Sequence, residues 1–326
     1  MVRLPGSDPS SRLTSPRALG AMAGTLIVAA IAVVLVVVLG GSSHSRRTVV
    51  VTQKVGQIKL GAIDRSRQDL QSVYTAGTRI LTDPTGEIEE AHALGFDIVR
   101  VDFAWNSIAP DPYSRTEPRF DASDPAAYPS AGWGPFDTVV RLLAKYHMKL
   151  DLVLAPSAPM WATGPRAPAP ADTHPYWEPN AKLFGQFVSA VGTRYSGHYT
   201  PKGASSPLPR ADFWSIWNEP NSGISLAPQT VASLKTLGNG SRVKVAPRYY
   251  RALADAAWTS LHATGHGSDT IAIGDLAPLG GHLNGWGGDF SVMAPLRFLR
   301  LLYCVGANFQ KLRGAAATDA GCPTTA

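Results

Sequence analysis

The sequence predicts an α/β fold, a partial (β/α)8 barrel of the TIM type with an N-terminal transmembrane helix. Three observations predict it. From about residue 71, strand-like apolar runs alternate with helix-spaced runs, which argues for parallel strands covered by helices. Loops after the strands are long and loops after the helices are short, as expected when one rim of a barrel carries the function. Finally, no Asp, Glu, Lys or Arg occurs between Arg17 and Arg46, a stretch long enough to cross a bilayer as a helix.

The elements follow in order. Residues 1–17 read as a cytoplasmic tail and residues 18–41, "ALGAMAGTLIVAAIAVVLVVVLGG", as the membrane anchor. A cleaved signal peptide is the alternative, with secretion as its consequence. The apolar run exceeds the usual ~7–15 residues of a signal peptide, and "GGSSHSRR" offers no clear A-x-A site. Arg3, Arg12 and Arg17 precede the span and Arg46 and Arg47 follow it, so the positive-inside balance is nearly even. The downstream domain sets the orientation: single pass, domain outside the cell membrane.

Residues 42–70 are polar and basic, a juxtamembrane linker with one strand-like run, "TVVVTQ". Residues 71–326 form the barrel-like domain. "DPTGEIEEAHALG" opens with a turn, puts acids in the first helical turn and stops at Gly95. "FDIVRVDFAW" is a strand, followed by a Pro- and Asp-rich loop over 106–132. "FDTVVRLLAKYHM" has helical spacing and "KLDLVLAP" is the next strand. A second Pro-rich loop leads to a helix at "NAKLFGQFVSAVGTRY". "ADFWSIWNEPN" is a strand and its exit, "RYYRALADAAWTSLHATG" a helix, "TIAIGDLAP" a strand and "MAPLRFLRLLY" a helix. A doubly wound open sheet would give a similar pattern, but no G-x-G-x-x-G follows the first strand.

Composition narrows the function. The net charge is +6, and residues 1–70, with nine Lys or Arg against three acids, carry all of it. The remainder balances, with 21 basic and 21 acidic residues. The high pI is therefore a membrane-flank signature and not a nucleic-acid footprint. No G-x-S-x-G nucleophile elbow occurs, and His174, His262, His266 and His282 show no metal-ligand spacing with cysteine. No metal or cofactor is expected. An exported domain permits Cys304 and Cys322 to pair, and closing their 18-residue separation contributes about 3 kcal/mol in the chain-entropy view.

The chemistry centres on "FWSIWNEPN", residues 213–221. A strand buried in a parallel sheet tolerates a carboxylate only at its open end, so Glu219 should face a cleft at the C-terminal rim. Burial beside aromatic rings disfavours a carboxylate's charged form, the direction a general acid needs. Asn218 adds an amide for a substrate hydroxyl, and Pro220 stiffens the exit. Trp105, Trp161, Trp177 and Trp217 fall at strand ends or in the loops after them, where an indole face can stack on a sugar ring. Asp102 lies in phase with Arg100, so an ion pair between them is expected. Asp102 and Asp151 read as structural.

At these residues the chain resembles the clan of retaining glycoside hydrolases built on (β/α)8 barrels, most closely the family 39 and family 5 types. The resemblance covers roughly residues 85–280. It implies that Asn218, Glu219 and Pro220 end the fourth strand, with Glu219 as acid/base and Asn218 as a hydroxyl ligand. "VRVDFAW" matches the second strand and implies an electrostatic role for Arg100 below the nucleophile. "LAPSAPMWATG" is similar to the third-strand loop and implies an aromatic sugar platform at Trp161, with Trp105 and Trp217 as further substrate contacts. The expected substrate is a poly- or oligosaccharide cut at an O-glycosidic bond. A non-catalytic carbohydrate-binding or envelope protein of the same fold is the alternative.

Retention needs a second carboxylate, which the resemblance puts at the end of the seventh strand. Glu219 is the last glutamate of the chain, and only Asp255, Asp269, Asp275, Asp289 and Asp319 follow it. Asp275 ends a strand, but the fifth by count. The sequence therefore reads as a barrel without its nucleophile strand, and the chain alone is expected to be inactive.

Overall fold

A computed structural model describes residues 72–74, 79–165, 167, 175–232, 242–281 and 288–324, all within one unit spanning residues 63–326. The expected cytoplasmic tail, transmembrane helix and linker lie outside the described residues. Among the described residues, no helix is long and apolar enough to cross a membrane.

The chain runs β1 (Ser72–Tyr74), α1 (Pro84–Ala93), β2 (Ile98–Ala104), α2 (Trp105–Ile108), α3 (Ser130–Lys145) and β3 (Lys149–Ala155). It continues through α4 (Ala181–Arg194), β4 (Phe213–Ile216), β5 (Thr230–Ala232), β6 (Arg242–Lys244), α5 (Ala246–Ala263) and β7 (Thr270–Ile273). It closes with α6 (Pro295–Leu302) and α7 (Gly314–Asp319). Local chemistry sets several boundaries. Asp83 accepts from the Gly86 amide at the head of α1, with Pro84 in the first turn. Asn180 accepts from the amides of Lys182 and Leu183 at the head of α4. The α3 helix begins at Ser130, inside the segment expected as loop.

Five strands form one parallel sheet in the order β1-β2-β3-β4-β7. That order decides between the two architectures the sequence allowed. A doubly wound sheet reverses direction at a switch point. Here every crossover steps the same way, which for crossovers of one hand puts all covering helices on one face, as in a barrel wall. The antiparallel pair β5–β6, which the α/β alternation gave no reason to expect, is inserted between β4 and α5.

Side-chain alternation sorts the two faces. Val99, Val101, Phe103, Leu150, Leu152, Leu154, Trp214 and Ile216 are buried in the apolar core. Phe136, Phe184, Phe187 and Tyr250 of the covering helices belong to the same core. The other face carries Arg100, Asp102, Asp151 and Ser215, only the last of which is fully buried. That second face also holds buried Val153, so the polar set is a local cluster on it, positioned for a site.

Cys304 and Cys322 are joined as a disulfide, as expected. They enclose a small separate cluster with Leu312, Ala317 and Ala320.

Candidate active site at the C-terminal rim

Arg100 organises the polar face. Its Nη1 donates to Asp151 Oδ2 at 3.0 Å and to Ser215 Oγ at 2.7 Å. Its Nη2 donates to Asp275 Oδ2 at 3.0 Å and, more weakly, to Asn218 Oδ1 at 3.4 Å. Ser215 Oγ in turn donates to Asp151, 2.9 Å from Oδ1. The register explains these reaches: Arg100 is level with Asp151 on β3, and Asp151 with Phe213 on β4, so Ser215 stands one row nearer the C-terminal rim. Burial works against the guanidinium's charge, but Asp275 and Asp151 more than offset it, and the pKa of Arg100 lies above its ordinary value. Arg100 makes ion pairs with Asp151 and Asp275.

The rim itself is strained. Ser157 after β3, Trp217 and Glu219 after β4, and Asp275 after β7 all adopt positive φ, at 84°, 65°, 47° and 44°. A non-glycine residue in that region costs about 1 kcal/mol or more, and such costs collect where geometry serves a function. The loops after β4 and β7 are tied together. The Glu219 amide donates to the Asp275 carbonyl at 2.9 Å. Fully buried Asn221 donates from Nδ2 to the carbonyls of Ala277 and Met293, and accepts from the Ala277 amide. The Tyr250 hydroxyl donates to the Ile216 carbonyl at 2.9 Å and accepts from the Gly274 amide at 2.7 Å, so one residue of α5 joins the ends of both strands. Burial pushes its pKa up.

Glu219 and Asn218 are both half-buried at the end of β4. The structure thus brings together three expected residues, Arg100, Asn218 and Glu219. It does not add the three tryptophans. Trp105 and Trp217 are fully buried and Trp161 is 7% exposed, so none offers an open face to a sugar. Trp105 lies face to face with Phe187. Trp161 donates to the Pro110 carbonyl and meets Trp105 and Phe120 edge-on. Trp217 donates to the Ser225 carbonyl and packs edge-on against Phe184 of α4. Its positive φ breaks the strand alternation, and the indole joins the helix layer. Trp177, packed near Phe290, is half-buried and keeps part of its surface open.

Sequence reasoning passed over Ser215, Tyr250 and Asn221. Ser215 is the one polar interruption of an apolar strand, and Asn221 follows the Asn-Glu-Pro directly; those were the available signals. Asp275 was noted and set aside on strand count. A depression lined by Leu143, His147, Lys149, Arg210 and Asp212 lies at the opposite rim, by the starts of β3 and β4.

No family model matches the sequence, and no curated protein matches it. Solved structures similar to the chain include Fpglu1 from Fervidobacterium pennivoraus, at 13% identity, TM-score 0.40, covering 60% of this chain and 41% of that one. A family 1 β-glucosidase from Thermotoga maritima is similar at 17% identity and TM-score 0.36, covering 60% and 37%. The β-glycosidase from Thermosphaera aggregans is similar at 16% identity and TM-score 0.39, covering 60% and 43%. The chain spans about two-fifths of the length of these structures.

Proposed function

We propose that this protein is glycoside hydrolase-like and acts on O-glycosidic bonds of a poly- or oligosaccharide, with Glu219 as acid/base. One observation carries the reading. Asn218 and Glu219 stand half-buried at the C-terminal end of β4, beside Arg100 and Asp275, on the rim where barrels of this class place their chemistry. Asn218 would hold a sugar hydroxyl. Glu219 would protonate the departing oxygen and later accept a proton from water, a retaining course. Arg100 supplies electrostatic support. Motif order favours the family 39 or family 5 type within the retaining clan.

The charge-free run over residues 18–41 supports display of the domain outside the membrane on a single span. A disulfide agrees with an oxidising compartment.

The test compares the parent chain with Glu219→Gln on activated aryl glycosides and cell-wall glycans, following reducing-end release. Loss of a general acid should lower turnover by roughly 100-fold or more. Equal turnover by the two proteins would sink the assignment of Glu219. Glycan binding unchanged by the substitution, with no turnover by the parent or by any longer form of it, would favour the non-catalytic carbohydrate-binding alternative.

A further inference from the structure

We propose that Trp177 is a sugar platform of this rim, placed to take one ring of a glycan chain beside the ring whose bond Glu219 serves. This rests on the carbohydrate reading above and deepens it: the ligand is a chain of several linked sugars and not a single-sugar glycoside.

Exposure makes the first selection. Trp105 and Trp217 are fully buried and Trp161 nearly so, and the indoles of Trp161 and Trp217 spend their N–H on carbonyls. Trp177 is half-buried, with Phe290 as a ring neighbour at 6.0 Å between centroids. Its Nε1 is shielded and has no hydrogen-bond partner among the described residues, so the open part of the side chain is carbon. An open indole carbon surface with an aromatic neighbour behind it suits the apolar C–H face of a sugar ring.

The main chain fixes where that ring stands. Trp177 forms a parallel bridge with Ala227. The Glu178 amide donates to the Ala227 carbonyl at 2.6 Å, and the Ala227 amide to the Tyr176 carbonyl at 2.8 Å. Ala227 belongs to the loop that leaves β4 through Glu219. In that loop Ser222 donates to the Glu219 carbonyl and Leu226 to the Ser222 carbonyl, both at 2.8 Å. A turn of the first kind keeps its ends within about 7 Å. Phe290 is seated on the same loop: its backbone lies against Gly223, whose amide donates to the Ser291 carbonyl at 3.1 Å. Trp177 is thus tied to the loop that carries Glu219, with the turns of residues 219–226 between them. Those turns set the platform apart from the position over Glu219, which is why it takes a different ring of the chain.

The segment is also braced on its other side. Glu178, at φ 44°, accepts the hydroxyl of Tyr249 of α5 at 2.9 Å. The Gly164 amide donates to the Trp177 carbonyl at 3.0 Å, and a Cβ on Gly164 would stand 2.4 Å from Glu178 Oε2. A ring held this way has little left to order when a ligand arrives, which lowers the cost of binding. Trp258 is the contrast. It is 52% exposed but lies on α5 in the helix layer, beside His262.

The experiment uses the full 326-residue chain and hexasaccharides of β-linked glucan, xylan and chitin, each with its monosaccharide. Calorimetric titration of the parent should show binding of at least one hexasaccharide and none of the matching monosaccharide. Trp177→Ala should weaken that binding about 10-fold, while Trp177→Phe, which keeps an aromatic face, should lose less than Trp177→Ala. Trp258→Ala should stay within about twofold of the parent. A loss under about threefold in Trp177→Ala, or an equal loss in Trp258→Ala, overturns the proposal. Should Trp177→Ala fail to fold, the parent is oxidised with N-bromosuccinimide, with and without the hexasaccharide, and its peptides are mapped by mass. Protection of Trp177 with Trp258 oxidised alike in both supports the proposal, and equal oxidation of Trp177 overturns it. A parent that binds no hexasaccharide overturns it as well. Binding is read without turnover, so the platform stands or falls separately from Glu219 as acid/base, which the Glu219→Gln comparison decides.

Discussion

Gly223 occupies a position that no side chain can share. A Cβ there would stand 2.2 Å from the Cα of Phe290 and 2.5 Å from its carbonyl carbon, and backbone cannot swing aside as a flexible side chain can. The close approach seats the loop after β4 against residues 290–293, where Gly223 donates to the Ser291 carbonyl and Asn221 reaches Met293. Gly223→Ala is expected to cost about 1–3 kcal/mol by overpacking, read as a lower urea midpoint with an unchanged slope. Gly306→Ala is the control. Its Cβ would meet the Asn308 side-chain oxygen at 3.3 Å, a contact that can relax, so a change below about 0.5 kcal/mol is expected. Similar losses at both positions would refute the close-packing account.

Helices α3 and α4 are joined through a buried ion pair. Arg194, 5% exposed, donates from Nε and Nη2 to the two oxygens of Asp137, at 2.9 and 2.6 Å. Its guanidinium also lies over the rings of Trp133 and Tyr199. Burial opposes the charge of Arg194, yet Asp137 more than compensates and its pKa is raised. Tyr195, just past the end of α4, donates its hydroxyl to the same carboxylate, so Asp137 serves three donors from two consecutive residues. Removing one partner strands the other in low dielectric. Asp137→Ala should cost about 3–5 kcal/mol, measured by chemical denaturation. A loss under about 1 kcal/mol, the range of an exposed pair, would show that Arg194 is hydrated in solution. The rim network around Arg100 should be unaffected, because Asp137 and Arg194 belong to the helix layer.

At the scale of the molecule, a junction opposite the site contributes to acid stability. Asp269 precedes β7 and accepts from Arg210, from Trp214 and from the His266 ring, whose Nε2 faces the Gly192 carbonyl. Burial raises the carboxyl's pKa, but these hydrogen bonds outweigh it and the net shift is downward. The sign follows from linkage. A depressed folded-state pKa contributes stability that is complete above the unfolded value, about 3.9 for Asp. That contribution is lost as pH falls through the lower folded value. On the alkaline side, burial followed by the nearby Glu178 pushes Tyr249 up to about 12. Stability from that group is complete below about 10 and is lost as pH rises through the folded value. Denaturation midpoints across the acid range should fall more steeply for the parent than for Asp269→Asn. Parallel acid limbs would remove Asp269 as the cause.

Much of the architecture was legible in the chain alone. Strand and helix periodicity located β2, β3, β4, β7 and the helices between them, because apolar spacing reports directly which face of an element meets a core. Residue chemistry also singled out Asn218 and Glu219, since a carboxylate and an amide closing an apolar strand demand a reason, while Arg100 entered the site through the family resemblance alone. Side-chain direction could not be read in the same way. The three tryptophans look alike in sequence whether they line a cleft or fill a core, and it took the positive φ at Trp217 to turn its ring toward α4. Asp275 was visible as a residue but not as a neighbour: adjacency to Glu219 depends on which strands pair. The sequence determined which segments are strands and which polar groups stand on them, through local pattern. Only the tertiary structure decided their order in the sheet and hence which charges share the rim, because strand pairing joins residues that no local pattern connects.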